Sequence, residues 1–320
     1  MRVVLDTTPL RLTGAGTARY IRNLLPRLGE VDTIAFAGRD RASVLARELY
    51  WYPWRLSALR GHDVLHCTTY YGPLRPSVPT VVTVHDLAVF RHPEAFPRWT
   101  RAYVPRVIPH VLRAARRVIA VSEFTAAELE RVLGLPRERI RVVPNAVDAA
   151  FGPDGPRADG DYVLTVGTLE PRKNLDRAIA AATAAGLPLR VVGAEGWGGV
   201  EARGSEVTWL GQVDDAELAR QYRGARCVLY PSFYEGFGIP VLEAMACGAP
   251  VVTSAGGATE EVAGGAAVLV DPRDTAAIEA GLHEAIRRAD ELRAQGLARA
   301  KEFSWDESAR RTLAVYEEAA

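Results

Sequence analysis

Two carboxylates, Glu235 and Glu243, flank a helix start in the stretch YEGFGIPVLEAMACGAPVV, residues 234–252. Pro240 suits the first helical position, where a missing N–H costs nothing. Gly248 stops the helix, and Pro250 leads into the next strand. Backbone N–H groups of Phe237, Gly238 and Ile239 then point outward from the helix N-terminus and form an anion site. The spacing puts Glu235 outside the helix and Glu243 in its first turn, so both can face one ligand. Carboxylates accept hydrogen bonds from vicinal hydroxyls, so the pair suits a sugar carrying a phosphate. The plainer reading has Glu243 complementing the helix dipole and Glu235 solvated.

A second stretch, VGTLEPRKNLDRAI, residues 166–179, places Arg172 and Lys173 in a loop between a strand ending at Val166 and a helix beginning near Asn174. Two cations beside a helix N-terminus run against the dipole, and an anionic ligand resolves the conflict. Each charge-assisted hydrogen bond to phosphate contributes about 1.5–3 kcal/mol. The chain holds 37 Arg and two Lys, Lys173 and Lys301, so a lysine kept here stands out. The alternative is a solvated basic turn.

In DTTPLRLTGAGTARYIRNL, residues 6–24, Gly14 and Gly16 let the backbone approach a phosphate. A dinucleotide fingerprint fits poorly. Arg19 stands at the third glycine position, the loop is too long, and no acid ends the second strand. This disfavours an NAD-dependent dehydrogenase. His85 follows a strand in TVHDLAVFRHPEAF and belongs at the carboxyl edge of a sheet, unless it serves a structural role beside Asp86. Ser122 and Glu123 open another helix, where capping explains them equally well. Asp159-Gly160-Asp161 precedes a strand inside a linker and is discounted as a metal-nucleotide motif. No P-loop sequence occurs.

The elements that must position these residues read as α/β. Continuous apolar runs serve as strands at Arg2–Asp6, Thr33–Ala37, Asp63–His66, Thr80–Val84, Arg117–Val121 and Arg141–Val143. The second set is Tyr162–Val166, Leu189–Val192, Val207–Leu210, Cys227–Tyr230, Val251–Ser254 and Ala267–Val270. Such runs, separated by helical patterns, suit parallel sheets covered on both faces. The Pro-, Gly- and Asp-rich stretch 144–161 reads as a linker. The expectation is two doubly wound, Rossmann-like domains facing a cleft, over residues 1–150 and 160–303. A final helix, 304–320, crosses back to the first domain.

Acidic and basic residues balance at 39 each among 320, which argues against a nucleic-acid partner. No apolar run is long enough to span a membrane. The N-terminus reads as a first strand and not as a signal peptide. Cys67, Cys227 and Cys247 show no ligand spacing and suit buried free thiols in a reducing cytoplasm. The six His show no zinc pattern. No metal and no cofactor are expected.

Taken together, EGFGIPVLEAMACGAPVV resembles the paired-glutamate region of GT-B nucleotide-sugar glycosyltransferases of family 4. GTLEPRKNL resembles their phosphate-binding loop. VHDLAVFRHPEAF, VSEFTAAEL, VPNAVD and GGATEEVAGGAAVLVDP resemble further blocks in the same order. The resemblance covers nearly the whole chain and is weakest over residues 38–62. It implies a catalytic set of His85, Arg172, Lys173 and Glu235. Glu235 would hold donor-sugar hydroxyls, Arg172 and Lys173 the diphosphate, and His85 would lie near the reacting bond. It implies donor contacts from Gly14, Gly16, Val213, Phe237, Gly238, Ile239 and Glu243. Among these, Glu243 would hold the ribose and Val213 the base.

The resemblance further implies metal-independent, anomer-retaining hexosyl transfer, with GDP-mannose the first choice of donor and UDP-sugars open. The acceptor would be a saccharide or a polyprenyl-linked chain in polysaccharide or glycolipid synthesis. A sugar-nucleotide epimerase of the same fold needs extra carboxylates that find no matching motif here. A non-catalytic subunit should have degraded motifs. The aromatic run YWYPW, residues 50–54, with Arg98, Arg101, Arg106, Arg113, Arg116 and Arg117, could form a basic aromatic surface for a lipid-linked acceptor. That places the protein in the cytoplasm with peripheral contact to the inner face of the cell membrane. The alternative is ordinary helix packing with solvated arginines.

Overall fold

The computed structural model describes residues 1–12, 16–38 and 41–320, and divides the chain into two units, Met1–Asn145 with Ser304–Ala320, and Ala146–Phe303. The first unit runs β1 (Val3–Asp6), α1 (Pro9–Leu12), α2 (Gly16–Leu24), β2 (Asp32–Ile34), α3 (Arg41–Ala46), β3 (Val64–Cys67), β4 (Thr80–Val84), α4 (Ala88–Arg91), α5 (Arg98–Ala114), β5 (Arg117–Ala120), α6 (Glu123–Leu133) and β6 (Ile140–Val142). A π-helix, Arg47–Arg55, follows α3. The sheet is parallel throughout, in the order β2-β1-β3-β4-β5-β6.

The second unit runs β7 (Val163–Val166), α7 (Leu175–Ala184), β8 (Leu189–Val192), β9 (Val207–Gly211), α8 (Asp215–Gly224), β10 (Cys227–Tyr230), α9 (Ile239–Ala246), β11 (Val251–Ser254), α10 (Ala258–Ala263), β12 (Val268–Val270), α11 (Thr275–Arg287) and α12 (Ala289–Ala300). Its parallel sheet has the order β12-β11-β10-β7-β8-β9. The last helix, α13 (Trp305–Ala319), belongs to the first unit.

Apolar burial on both faces explains the unbroken hydrophobic runs. In the first unit Leu65, Val82, Val84 and Val118 pack with Val104, Ile108 and Leu112 of α5 and Leu129 of α6. In the second, Val163, Val191, Leu229 and Val252 pack with Leu175, Ala178 and Ala182 of α7 and Ile278 and Leu282 of α11. Each fully buried large aliphatic side chain contributes roughly 1.5–3 kcal/mol. Ser122 caps α6 by accepting from the Thr125 N–H at 3.0 Å. The stretch leading into β7 is gripped by Arg223, which donates to the carbonyls of Gly152, Asp154 and Pro156. Phe151 is buried there against Tyr222. The three cysteines are buried free thiols. Among the described residues, no helix is long and apolar enough to cross a membrane.

Candidate functional site

Strand order decides where the second unit can hold a ligand. β7 and β10 are neighbours, with β8 and β9 running off one side and β11 and β12 off the other. Open α/β sheets bind ligands at such a reversal, beyond the carboxyl ends of the strands. The loop after β7 carries Glu170, Arg172, Lys173 and Asn174. The loop after β10 carries Ser232 through Gly238.

Hydrogen bonds join these two loops. The Phe233 N–H donates to the Arg172 carbonyl at 2.8 Å, and the Ser232 hydroxyl donates to the same carbonyl at 2.9 Å. Asn174, at φ 59°, is the one non-glycine residue with positive φ among those described. Asparagine tolerates that conformation better than most residues. Its buried amide donates to the carbonyls of Pro231 at 2.9 Å and Pro272 at 2.7 Å, tying three strand ends together.

That frame brings three of the expected residues into direct contact. Arg172 Nη1 donates to Glu235 Oε2 at 2.9 Å, and Lys173 Nζ to Glu235 Oε1 at 2.6 Å. The hydroxyls of Tyr230 and Ser232 each donate to Oε1 at 2.8 Å. Lys173 also donates to the Tyr230 hydroxyl at 2.6 Å. Arg172 Nη2 meets Glu170 Oε1 at 2.8 Å. Burial alone would push the Glu235 carboxyl up, but the Arg172 and Lys173 cations and their hydrogen bonds carry it down to about 2. Burial and the neighbouring Arg172 lower Lys173, while Glu235 opposes the shift. The Glu235 carboxyl is therefore ionised, and it is neither solvated nor unengaged: Arg172 and Lys173 hold it, and Glu170 holds the other side of Arg172.

Glu243 stands elsewhere in the hydrogen bonding. Helix α9 opens at Ile239 with Pro240 second, so Glu243 lies beyond the first turn, a correction to the sequence expectation. It is buried and accepts from the Tyr222 hydroxyl at 3.1 Å. Gly238 occupies the N-cap of α9 at φ 105°. A Cβ there would stand 2.9 Å from the Thr259 methyl, so glycine is required on both counts. No side chain caps α9. Phe237 turns its ring into the core against Phe303, leaving its backbone to the helix start. Val213 is half-buried between β9 and α8, just before the capping Asp214.

In the first unit, Gly14 lies outside the described residues. Gly16 is the first residue of α2, with the short α1 between it and β1. His85 follows β4, and its Nε2 donates to the Thr68 carbonyl at 2.9 Å. Burial lowers its pKa, against that hydrogen bond and the nearby Asp86. A neutral ring whose Nε2 carries the proton presents Nδ1 as an acceptor. Asp86 accepts from the Ala88 N–H at 2.9 Å and so caps α4.

Behind His85 lies a network that sequence reasoning missed. The Tyr20 ring meets the His85 ring edge-on at 4.9 Å, and its hydroxyl lies 3.2 Å from that of Thr83. Thr83 is 2.8 Å from His66 Nε2, and His66 Nδ1 is 2.6 Å from the Tyr316 hydroxyl of α13. A histidine inside the apolar run of β3 was the available signal. For Glu170 and Asn174 the signal was their place in the cation loop. In the aromatic run, Tyr52 is buried and stacked on Tyr71, whereas Tyr50 and Trp54 are exposed. Arg106 and Arg113 donate to nearby carbonyls, and Arg117 pairs with Glu318. Among the described residues, no group of three His, Cys, Asp or Glu is arranged to hold a metal ion.

Comparison with known proteins follows the same division. Residues 148–303 match the family described as glycosyl transferases group 1, and residues 15–151 match glycosyltransferase family 4. An O-antigen chain mannosyltransferase B of Escherichia coli is 34% identical over an alignment covering 99% of both chains. Among solved structures, a sucrose-phosphate synthase from Thermosynechococcus elongatus superposes with a TM-score of 0.77 at 22% identity, covering 99% of this chain and 98% of that one. Anabaena HepE, solved with UDP and glucose, superposes with a TM-score of 0.73 at 18% identity, covering 98% of both chains. These two structural likenesses give the fold, GT-B.

Proposed function

We propose, from the premise that this chain belongs to the family 4 glycosyltransferases of group 1, that it moves a mannosyl group from GDP-mannose to a saccharide or lipid-linked acceptor with retention at the anomeric carbon. The observation that carries this reading is the Arg172–Glu235–Lys173 cluster at the β7/β10 reversal. The second unit is then the donor-binding unit, and the first serves the acceptor. The Escherichia coli relative's name supports mannose and an O-antigen-like product.

Arg172 and Lys173 take the donor diphosphate, with the backbone of Phe237, Gly238 and Ile239 at the start of α9. Glu235 turns to the sugar hydroxyls, Glu243 to the ribose and Val213 to the base. Gly14 and Gly16 lend backbone to the phosphates, and His85 Nδ1 accepts from a donor-sugar hydroxyl. The bond between the anomeric carbon and the phosphate oxygen breaks as the acceptor oxygen bonds on the same face. The acceptor proton passes to the leaving phosphate. Negative charge grows on that phosphate, and prepositioned cations stabilise it without a metal. The protein works in the cytoplasm, with the exposed Tyr50 and Trp54 touching the inner membrane face.

The test is thermal stabilisation by GDP, UDP, ADP and NAD, each with and without EDTA. Ligand at a hundred times its dissociation constant adds about 2.7 kcal/mol. The expected result is an EDTA-insensitive shift with GDP. A shift with UDP instead moves the assignment to a UDP-sugar donor, the second reading, which the UDP complex of HepE favours. A shift with NAD alone, or with none, ends the donor-site reading.

A further inference from the structure

Arg172 is held from two sides. Glu235 engages Nη1 and Glu170 engages Nη2, at 2.9 and 2.8 Å. Glu170 is 3% exposed and begins the tight turn Pro171–Lys173, where its own carbonyl accepts the Lys173 N–H at 3.0 Å. Its charge also reaches Lys173 and Tyr230. The resting cluster thus contains two cations and two carboxylates in a largely buried place, where unpaired charge is costly.

An incoming diphosphate competes for the groups that Glu235 occupies, Arg172 Nη1 and Lys173 Nζ. It does not need Nη2. Exchange of Glu235 for phosphate releases that carboxylate toward the sugar, and Arg172 keeps its second carboxylate throughout. We propose that Glu170 is a positioning residue: it fixes the Arg172 guanidinium while Nη1 passes from Glu235 to the donor diphosphate. It also keeps the emptied site neutral, so that the product diphosphate departs. This rests on the reading of Arg172 and Lys173 as diphosphate ligands. Glu170 touches no reacting atom; it acts through Arg172, whose bidentate geometry makes orientation matter.

The experiment compares the wild type with Glu170→Gln and Glu170→Asp. Affinity for GDP and for UDP is measured by calorimetry, and turnover by nucleoside diphosphate release from the nucleotide-sugar. Circular dichroism melts check folding. Glu170→Gln removes a negative charge beside the two cations, and with it a repulsion on the bound anion, so it should bind the diphosphate about 3- to 10-fold more tightly, yet turn over at least about 10-fold more slowly. Glu170→Asp keeps the charge and shortens the reach, so affinity should stay within about twofold while turnover falls.

A merely structural role would weaken binding and turnover together with a lowered melting temperature, and that outcome overturns the proposal. Unchanged binding and turnover in Glu170→Gln overturns it as well. Should Glu170→Gln fail to fold, Glu170→Asp decides alone, since a changed affinity with unchanged turnover contradicts the positioning role. A wild type that binds neither GDP nor UDP removes the donor-site reading and this inference with it. Failure confined to Glu170 removes only the inference.

Discussion

The two sheets end in opposite kinds of chemistry. At the carboxyl edge of the second unit, four charged side chains are packed against one another, and the Glu235 carboxyl is held down at about 2. At the corresponding edge of the first unit, two buried histidines are kept without charge. Burial, with His85 beside it, pushes His66 down to about 3, and burial lowers His85, so both rings are neutral among the hydroxyls of Tyr20, Thr83 and Tyr316. Buried charges persist only when paired, whereas buried imidazoles shed the proton instead. A charged edge can trade one anion for another. Neutral imidazoles can orient hydroxyls but offer an anion little.

The largest expected effect breaks the charged edge. Glu235→Ala takes from Lys173 its carboxylate and leaves Arg172 with Glu170 alone, and should lower unfolding free energy by about 3–5 kcal/mol at pH 7, read from urea curves. Because the folded carboxyl is depressed, its contribution is complete above the ordinary value of 4.5 and is lost as pH falls through about 2. The gap between wild type and variant should close over that window. A cost no larger than that of the neutral-edge variants would erase the distinction drawn above.

An intermediate effect sharpens the neutral edge. His66→Phe leaves the Thr83 and Tyr316 hydroxyls without their buried partner and should cost about 2–3 kcal/mol. Folding excludes the proton from His66, so its contribution is full above pH 6.5 and drains away as pH falls toward about 3. Asp6, raised by burial to about 6 against its Thr8 hydrogen bonds, runs the other way: its cost sets in as pH rises from 3.8 through about 6. Stability measured from pH 7 to 4 should therefore fall less steeply with acid in the variant than in the wild type. The smallest effect belongs to Tyr316→Phe, which keeps the ring and deletes one hydroxyl, at about 1–2 kcal/mol by thermal melting. Its acid profile should stay parallel to the wild type.

Much of this was legible in the chain. The twelve strands overlap the runs read from the sequence, and in β1, β3, β4, β10 and β11 burial on both faces leaves no room for alternation, whereas the edge strands β2 and β9 are largely exposed. Arg172, Lys173 and Glu235 were singled out by charge beside helix starts. Their mutual contact was not legible, since 62 and 63 residues separate Glu235 from the two cations and only the pairing of β7 with β10 joins them. Glu243 was placed in the first turn of α9 because Pro240 was read as the first helical position, whereas the helix starts one residue earlier, at Ile239. The His66–Tyr316 contact spans 250 residues, and no local pattern announces it.

The first unit is discontinuous, made of Met1–Asn145 and Ser304–Ala320. During synthesis its sheet emerges first, and the unit is completed last, by α13. Until α13 leaves the ribosome, His66 lacks the Tyr316 hydroxyl, Tyr20 lacks the Trp305 ring, and Arg117 and Arg141 lack Glu318. The second unit is contiguous and can close as soon as Phe303 is out. Chains ordinarily fold from the N-terminus onward, unit by unit. Here the later half of the chain can reach its native state before the earlier half, which waits for its last 17 residues.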